Sequence, residues 1–249
     1  MILLSWEAAY RLIGWKPWHF PAPSTVWRSL VDMLQVYPAF DARPLVSGTL
    51  VSLARLAGGF GLSLVLGLAL GLLMWRSRVF DEFAGPLALG LQTLPSVCWV
   101  PLAVLLLGLE ERGILFVVVM GSFFAIALAL RDGLRTIPPI YQRAGLMLGA
   151  RGWRLYAHVL LPASLPALAS SLRQGFSFAW RSLLGAELIL HAAQRHGLGF
   201  WLDAQRNLGT VADVVAVMVV MVAVGMAADR FVFGPIQERT AARFGLSQA

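Results

Sequence analysis

The amino-acid sequence predicts an all-α, polytopic integral membrane protein of about six transmembrane helices, the first of them short or truncated. Two observations carry this reading. Of the 249 residues, 58% are hydrophobic and only 13% charged, about half the roughly 25% charged share of an ordinary soluble domain. Such a chain cannot cover itself with a charged surface, and lipid has to take that role. The apolar residues are also gathered into uncharged runs long enough to cross a hydrocarbon core, which takes about 20 helical residues at about 1.5 Å each.

Taken in order, residues 1–14 are apolar but hold Glu7 and Arg11 and are too short to span comfortably. They read as a short first helix or the end of a longer one. No basic segment precedes them and no A-x-A site follows, so they do not read as a cleaved signal. Residues 16–44 are punctuated by Pro17, Pro21, Pro23, Pro38 and Pro44. Ser24 is expected to cap an amphipathic helix over 25–36 at the membrane surface. Residues 1–44 thus form a short helix plus an external amphipathic segment, and residues 45–249 a transmembrane domain.

Five apolar runs follow. Residues 56–75 end at Arg76 and Arg78, residues 83–109 at Glu110, Glu111 and Arg112, and residues 113–130 at Arg131 and Asp132. Residues 165–191 are apolar but hold Arg173, Arg181 and Glu187, and residues 214–228 lie between Asp213 and Asp229. Ser63, Gly67 and Gly71 recur every four residues, a spacing of small residues that lets helices approach closely. Pro86, Pro95 and Pro101 should kink the 83–109 helix. Freed backbone groups are tolerated only against protein or water, so that helix is expected to line something.

The longest internal hydrophilic stretch is residues 131–162. Ile137-Pro138-Pro139 stops one helix, and short helices are expected over 140–149 and 153–161, with Pro162 and Pro166 marking the start of the next span. A short helix outside the membrane is well placed to dock a soluble partner, and Ala144, Gly145, Gly149 and Ala150 would let a partner's groove close over its backbone. If this loop is cytoplasmic, Arg76, Arg78, Arg131, Arg135, Arg143, Arg151, Arg154, Arg230, Arg239 and Arg243 fall inside. Lys16, Arg28, Arg43, Arg112, Arg195 and Arg206 fall outside. That is the sense of the positive-inside rule, and both termini become cytoplasmic.

The net charge of +7 is explained by arginines flanking apolar runs, which speaks against nucleic acid as a partner. The single cysteine, Cys98, excludes an intramolecular disulfide. His158, His191 and His196 show no metal-ligand grouping, and no nucleophile–base constellation marks an enzyme. Trp6, Trp15, Trp18, Trp75, Trp153 and Trp201 lie near predicted helix ends, as an aromatic belt would place them. Glu110 and Glu111 read as a solvated external turn.

Arg173, Arg181 and Glu187, eight and six residues apart, do not share one helical stripe. A charge at mid-membrane costs at least about 2.5–3.5 kcal/mol, so each needs a partner or water. Arg181 is the best candidate for an anion path, the alternative being a structural ion pair. Gln92, Thr93, Ser96 and Trp99, with Cys98 and Glu187, are further candidates for lining a path, or they bond neighbouring helices.

The segment Arg143-Ala144-Gly145, three residues, Gly149, nine residues, then Val159-Leu160-Leu161-Pro162 resembles the EAA loop of ABC importer permeases. The family pattern is Glu-Ala-Ala, three residues, Gly, nine residues, Ile-x-Leu-Pro. The spacing matches throughout; Arg143 replaces Glu, Gly145 the second Ala and Val159 the Ile. Leu94 to Leu102 with Gly108, Leu172-Arg173 through Trp180 to Ala186-Glu187-Leu188, Gly197-Leu198-Gly199, and Pro21-Ala22-Pro23-Ser24 resemble the nitrate, sulfonate and taurine branch. The likeness runs from Pro21 to the C-terminus.

The resemblance implies a type I importer fold in a bacterial inner membrane, with two permease copies, two cytoplasmic ATPase subunits and an external solute-binding protein for a small oxyanion. The EAA helix would be the coupling helix. ATP and magnesium would sit in the ATPase, since this chain has no G-x-x-x-x-G-K-[ST] loop. An ion-gradient-driven secondary transporter is the alternative, but no repeat between the halves supports it.

Overall fold

The computed structural model describes residues 2–13, 21–35, 44–191, 195–208 and 211–243. Expectations for Trp15, Lys16, Pro17, Trp18, Pro38 and Arg43 lie outside these. The described residues are helical throughout their regular structure. Helix α1 is Ile2–Ile13, α2 Pro23–Leu34, α3 Pro44–Arg76, α4 Arg78–Thr93, α5 Val100–Leu107 and α6 Glu111–Arg135. Then come α7 Pro139–Met147, α8 Trp153–Leu155, α9 Leu161–Ile189, α10 Leu198–Leu208, α11 Val211–Ala228 and α12 Gly234–Arg243.

The bundle is organised around α6, two thirds (67%) of whose apolar stretch is buried within the chain, against 17% for that of residues 211–240. Small residues on α3 allow this. A methyl group at Gly59 would lie 2.6 Å from Val118 Cγ1, one at Gly67 2.8 Å from Ile126 Cβ, and one at Gly71 2.6 Å from the Ala127 carbonyl oxygen. Between them the Ser63 and Ser122 hydroxyls meet at 2.7 Å. Helix packing in lipid relies on such close approach, because apolar surface gains nothing by leaving one hydrocarbon for another. These contacts advance together along both chains, so α3 and α6 are parallel.

Along α9 the order reverses. Gly133 meets Ala167, Gly175 meets Ile126, Gly121 meets Ser182 and Gly113 meets Leu190. Helix α9 is therefore antiparallel to α6 over its whole length. Its composition alone does not mark it as a span; its end-to-end packing along α6 makes it a crossing, with Arg173, Arg181 and Glu187 carried on it. Helix α11 packs mainly on α2 and α10 and runs back past α9, where Gly225 meets Trp180 and Asp229, just beyond its end, bonds Arg173.

Parallel α3 and α6 require the chain between them to return across the membrane. The 83–109 run does this, but not as the single kinked helix expected. It is α4, a 3₁₀ turn at Ser96–Trp99 and α5, with a bend of 102° between the two arms. The break falls where proline chemistry puts it. Pro95 forces Leu94 out of the helical region, to ψ 126. Pro101 sits in the first turn of α5, where its missing N–H costs nothing. Gly108 ends α5 at φ 74. Five crossings result: α3, α4–α5, α6, α9 and α11. The 12-residue α1, about 18 Å long, is the short first helix.

Three local expectations change. The amphipathic helix is Pro23–Leu34, and it is not a free surface helix: Val26 and Met33 are buried as α2 packs on α11 and α3. Its N-cap is Ala22; Ser24 instead hydrogen-bonds Glu7. The expected 153–161 helix does not stop before the span. It runs through a π turn at Tyr156–Leu160 straight into α9. The widened turn lies immediately before Pro162, which cannot donate an i→i−4 bond. Trp201 is 1% exposed beneath Gly48, so it is a core residue and not part of a belt.

Candidate functional site

Three features stand out. The first is α7, held beyond one end of the bundle. Every residue of this helix except Gly145 is exposed. A methyl group at Gly145 would lie 2.7 Å from Leu155 Cδ1 and 3.1 Å from Val159 Cγ2. This glycine therefore seats α7 on its own chain, and its small size does not serve a partner's groove as expected. Gly149, at φ 81 with open space around it, closes the helix: its N–H bonds the Leu146 carbonyl and the Ala150 N–H bonds that of Gly145. The outward surface carries Ile140, Tyr141, Arg143, Ala144, Met147 and Leu148. Pro162 is the second residue of α9.

The second feature is the break at residues 94–99. Thr93 is exposed, its hydroxyl donating to the Gly90 carbonyl at 2.6 Å, while Gln92 and Ser96 are half-buried and Cys98 exposed. Ser96 packs beside Gly121, the position that also receives Ser182. Arg181 precedes Ser182, so the arginine lies at the depth of the break. Gly121 is ten residues into α6, about 15 Å from its start. The exposed Arg181 has no carboxylate partner among the described residues; its Nε donates to the Ser177 carbonyl and its guanidinium lies 4.8 Å from the Phe178 ring centre. Trp99 is buried against the bundle. It packs within this chain.

The third feature was not legible in the sequence. Near the end of the bundle opposite α7, Arg55 of α3 is buried between two carboxylates. Its Nη1 donates to Glu187 at 2.9 Å, its Nε and Nη2 to Glu111 at 2.8 and 2.7 Å, and Nη2 also to the Arg195 carbonyl at 2.9 Å. Glu187 is 1% exposed. It accepts further bonds from Ser52 at 2.7 Å and the Gly199 N–H at 3.1 Å. Ser52 in turn accepts the Leu198 N–H at 2.9 Å. Gly197 and Gly199 press so closely on Glu187 that neither position has room for a Cβ.

This network corrects two expectations. Glu187 does not line an opening; it is the buried anchor of a clamp joining α3, α6, α9 and the 195–199 segment. Glu111 is not a freely solvated turn residue but half of Arg55's counter-charge. The same segment carries His196, stacked 3.9 Å from Phe200, whose imidazole pKa is pushed below its usual value by burial, with the Arg55 and His191 charges adding to it.

At the α7 end the ion pairs are more open. Arg131 and Arg135 both bond Asp81, tying α6 to α4. Arg173 bonds Asp229 at 2.6 Å and Gln237 at 2.8 Å, tying α9 to α11 and α12.

The described residues form a five-crossing bundle with one broken span, a buried clamp at one end and an exposed helix at the other. The family of inner membrane components of binding-protein-dependent transport systems matches residues 63–233, and the chain belongs to that family. A putative ABC transporter permease of Methanocaldococcus jannaschii is 31% identical over 186 residues, covering 75% of this chain and 69% of that protein. The bicarbonate transport permease CmpB of Synechococcus elongatus is 28% identical over 80% of this chain and 72% of its own length. The nitrate import permease NrtB of Synechocystis is 25% identical over 93% and 83% respectively. In structure, the chain is similar to the inward-facing MetNI methionine ABC transporter: TM-score 0.67, 18% identity, covering 79% of this chain and 95% of that one.

The protein is therefore the multi-pass, inner-membrane permease subunit of an ABC importer, working with an ATPase and a solute-binding protein. It is a transport component and not an enzyme. The same membership decides against the secondary transporter.

Proposed function

We propose that two copies of this chain form the translocation path for a small oxyanion, with an ATPase docked on each α7 and the solute-binding protein at the Glu111 end. The α7 end is then cytoplasmic and the C-terminus with it; α1, as a short sixth crossing ahead of α3, brings the N-terminus to the same side. Residues 131–162 are the coupling loop, in which Arg143, Ala144, Gly149 and Ala150 meet or shape the ATPase contact, while Gly145 seats the helix on Leu155 and Val159 and Pro162 opens α9. ATP and magnesium belong to the ATPase.

The observation that carries the oxyanion is Arg181. It is exposed, without a carboxylate partner among the described residues, at the depth of the broken span, where an uncompensated cation is tolerated only against protein or water. Thr93, Ser96 and Gln92 add hydroxyl and amide groups at the same level, and the relatives named for bicarbonate and nitrate support a planar anion. Uptake of labelled nitrate, bicarbonate and taurine by the reconstituted importer tests it. Arg181→Gln should lose uptake by about tenfold or more while Arg181→Lys keeps part of it; equal uptake by all three forms contradicts the anion path.

The coupling reading has its own test. Gly149 at φ 81 cannot accept a bulky side chain without strain. Gly149→Trp should insert normally yet lose uptake and ATPase association. Normal uptake by that variant would count against the loop.

A further inference from the structure

We infer that the ATPase partner covers α7 with an apolar groove rimmed by carboxylates, one of them opposite Arg143. This rests on the coupling-loop reading above and names the partner's chemistry.

Ile140, Arg143, Ala144 and Met147 fall at i, i+3, i+4 and i+7, so they share one stripe of α7. All four are exposed, Ile140 at 70% and Met147 at 88%. A cation in the middle of an apolar stripe makes two demands on whatever covers it. The flanks need apolar contact, and the centre needs a counter-charge, because a guanidinium taken out of water alone is strongly penalised.

Among the described residues the chain does not supply that counter-charge. No Asp or Glu occurs between Asp132 and Glu187. Arg131 and Arg135 are answered by Asp81 and Asp132, but Arg143, Arg151 and Arg154 form no ion pair among the described residues. The surface offered to the partner is therefore an apolar stripe with Arg143 set within it and uncompensated arginines in the loop that follows, and the complementary surface is an apolar groove that carries carboxylates.

A membrane surface would also attract cations. A helix lying on lipid, however, segregates its charges from its apolar face, whereas here Arg143 stands within the apolar stripe. That favours the protein groove.

The test uses the tagged full-length permease extracted from its native membrane, with retained ABC ATPase quantified by mass spectrometry across a NaCl series. Arg143→Glu should reduce retention by about tenfold or more, Arg143→Gln by less, and Arg143→Lys little. Photo-crosslinking from position 144 should reach an ATPase segment holding Asp or Glu, and changing that residue to Lys should restore binding to Arg143→Glu. Undiminished retention in Arg143→Glu, with loss in Met147→Asp, overturns the acidic rim and leaves docking intact. Undiminished retention in both overturns docking as well. Retention that follows phosphatidylglycerol in nanodiscs, with no ATPase carboxylate at the crosslink, assigns Arg143 to lipid and overturns the proposal.

Discussion

Removing the Glu187 carboxylate should loosen the end of the bundle opposite α7 more than any other single polar change. The side chain accepts three hydrogen bonds, from Ser52, Arg55 and Gly199, and is almost fully buried. Glu187→Ala removes all three and leaves Arg55 with one counter-charge in place of two. Breaking one partner of a buried ion pair costs about 3–5 kcal/mol. At about 2–4 °C per kcal/mol for a chain of this size, the melting temperature should fall by roughly 6–20 °C. Glu187→Gln keeps the shape and one acceptor and should fall by less. The double change Arg55→Met with Glu187→Met should cost clearly less than the two single changes summed, because it leaves no orphan charge on this pair. The assay is thermal unfolding of the purified permease in detergent, alongside its expression level in the membrane. Unchanged melting in Glu187→Ala would refute the clamp, and unchanged melting with lost uptake would return Glu187 to the path.

Other consequences can be checked in the same preparations. Gly197→Ala should destabilise comparably, since its Cβ would overlap the Glu187 carboxylate; a wild-type melt would contradict the packing. Gly67→Leu should insert but lose the α3–α6 contact, lowering the yield of folded protein by several-fold; native yield would show that the two helices need not approach closely. His196 has a lowered pKa, so its neutral form is favoured in the fold. The stability this provides is present above the unfolded value of about 6.5 and is lost as pH falls below it. The drop in melting temperature between about pH 7.5 and 5.5 should therefore shrink in His196→Phe; an equal drop would dismiss the effect.

What could be read from the chain follows from how local each cause is. Ser63, Gly67 and Gly71 announce their face through four-residue spacing, because the period of a helix is a property of neighbours in sequence. Pro95 announces the break for the same reason, although the 102° bend, and the fact that it completes a crossing, require the parallel packing of α3 on α6. The clamp is different. Arg55 finds Glu111 56 residues away and Glu187 132 residues away, and no local pattern links them. Arg55 also stood just outside the uncharged run that delimits its helix. The one available signal was a charge inside a long apolar helix, which in lipid always demands a partner. Gly145 carried an ambiguous signal: its small size suits a partner's groove and its own chain equally, and only the contacts of Leu155 and Val159 assign it.

The central claim is that α7 faces the cytoplasm and receives the ATPase. With the native Cys98 replaced by Ser, a single cysteine at Met147 can be probed from each side of sealed vesicles with a membrane-impermeant maleimide. Labelling from the cytoplasmic side alone, blocked when the ATPase is bound, is the predicted result. Labelling from the external side, or labelling indifferent to the ATPase, would contradict it.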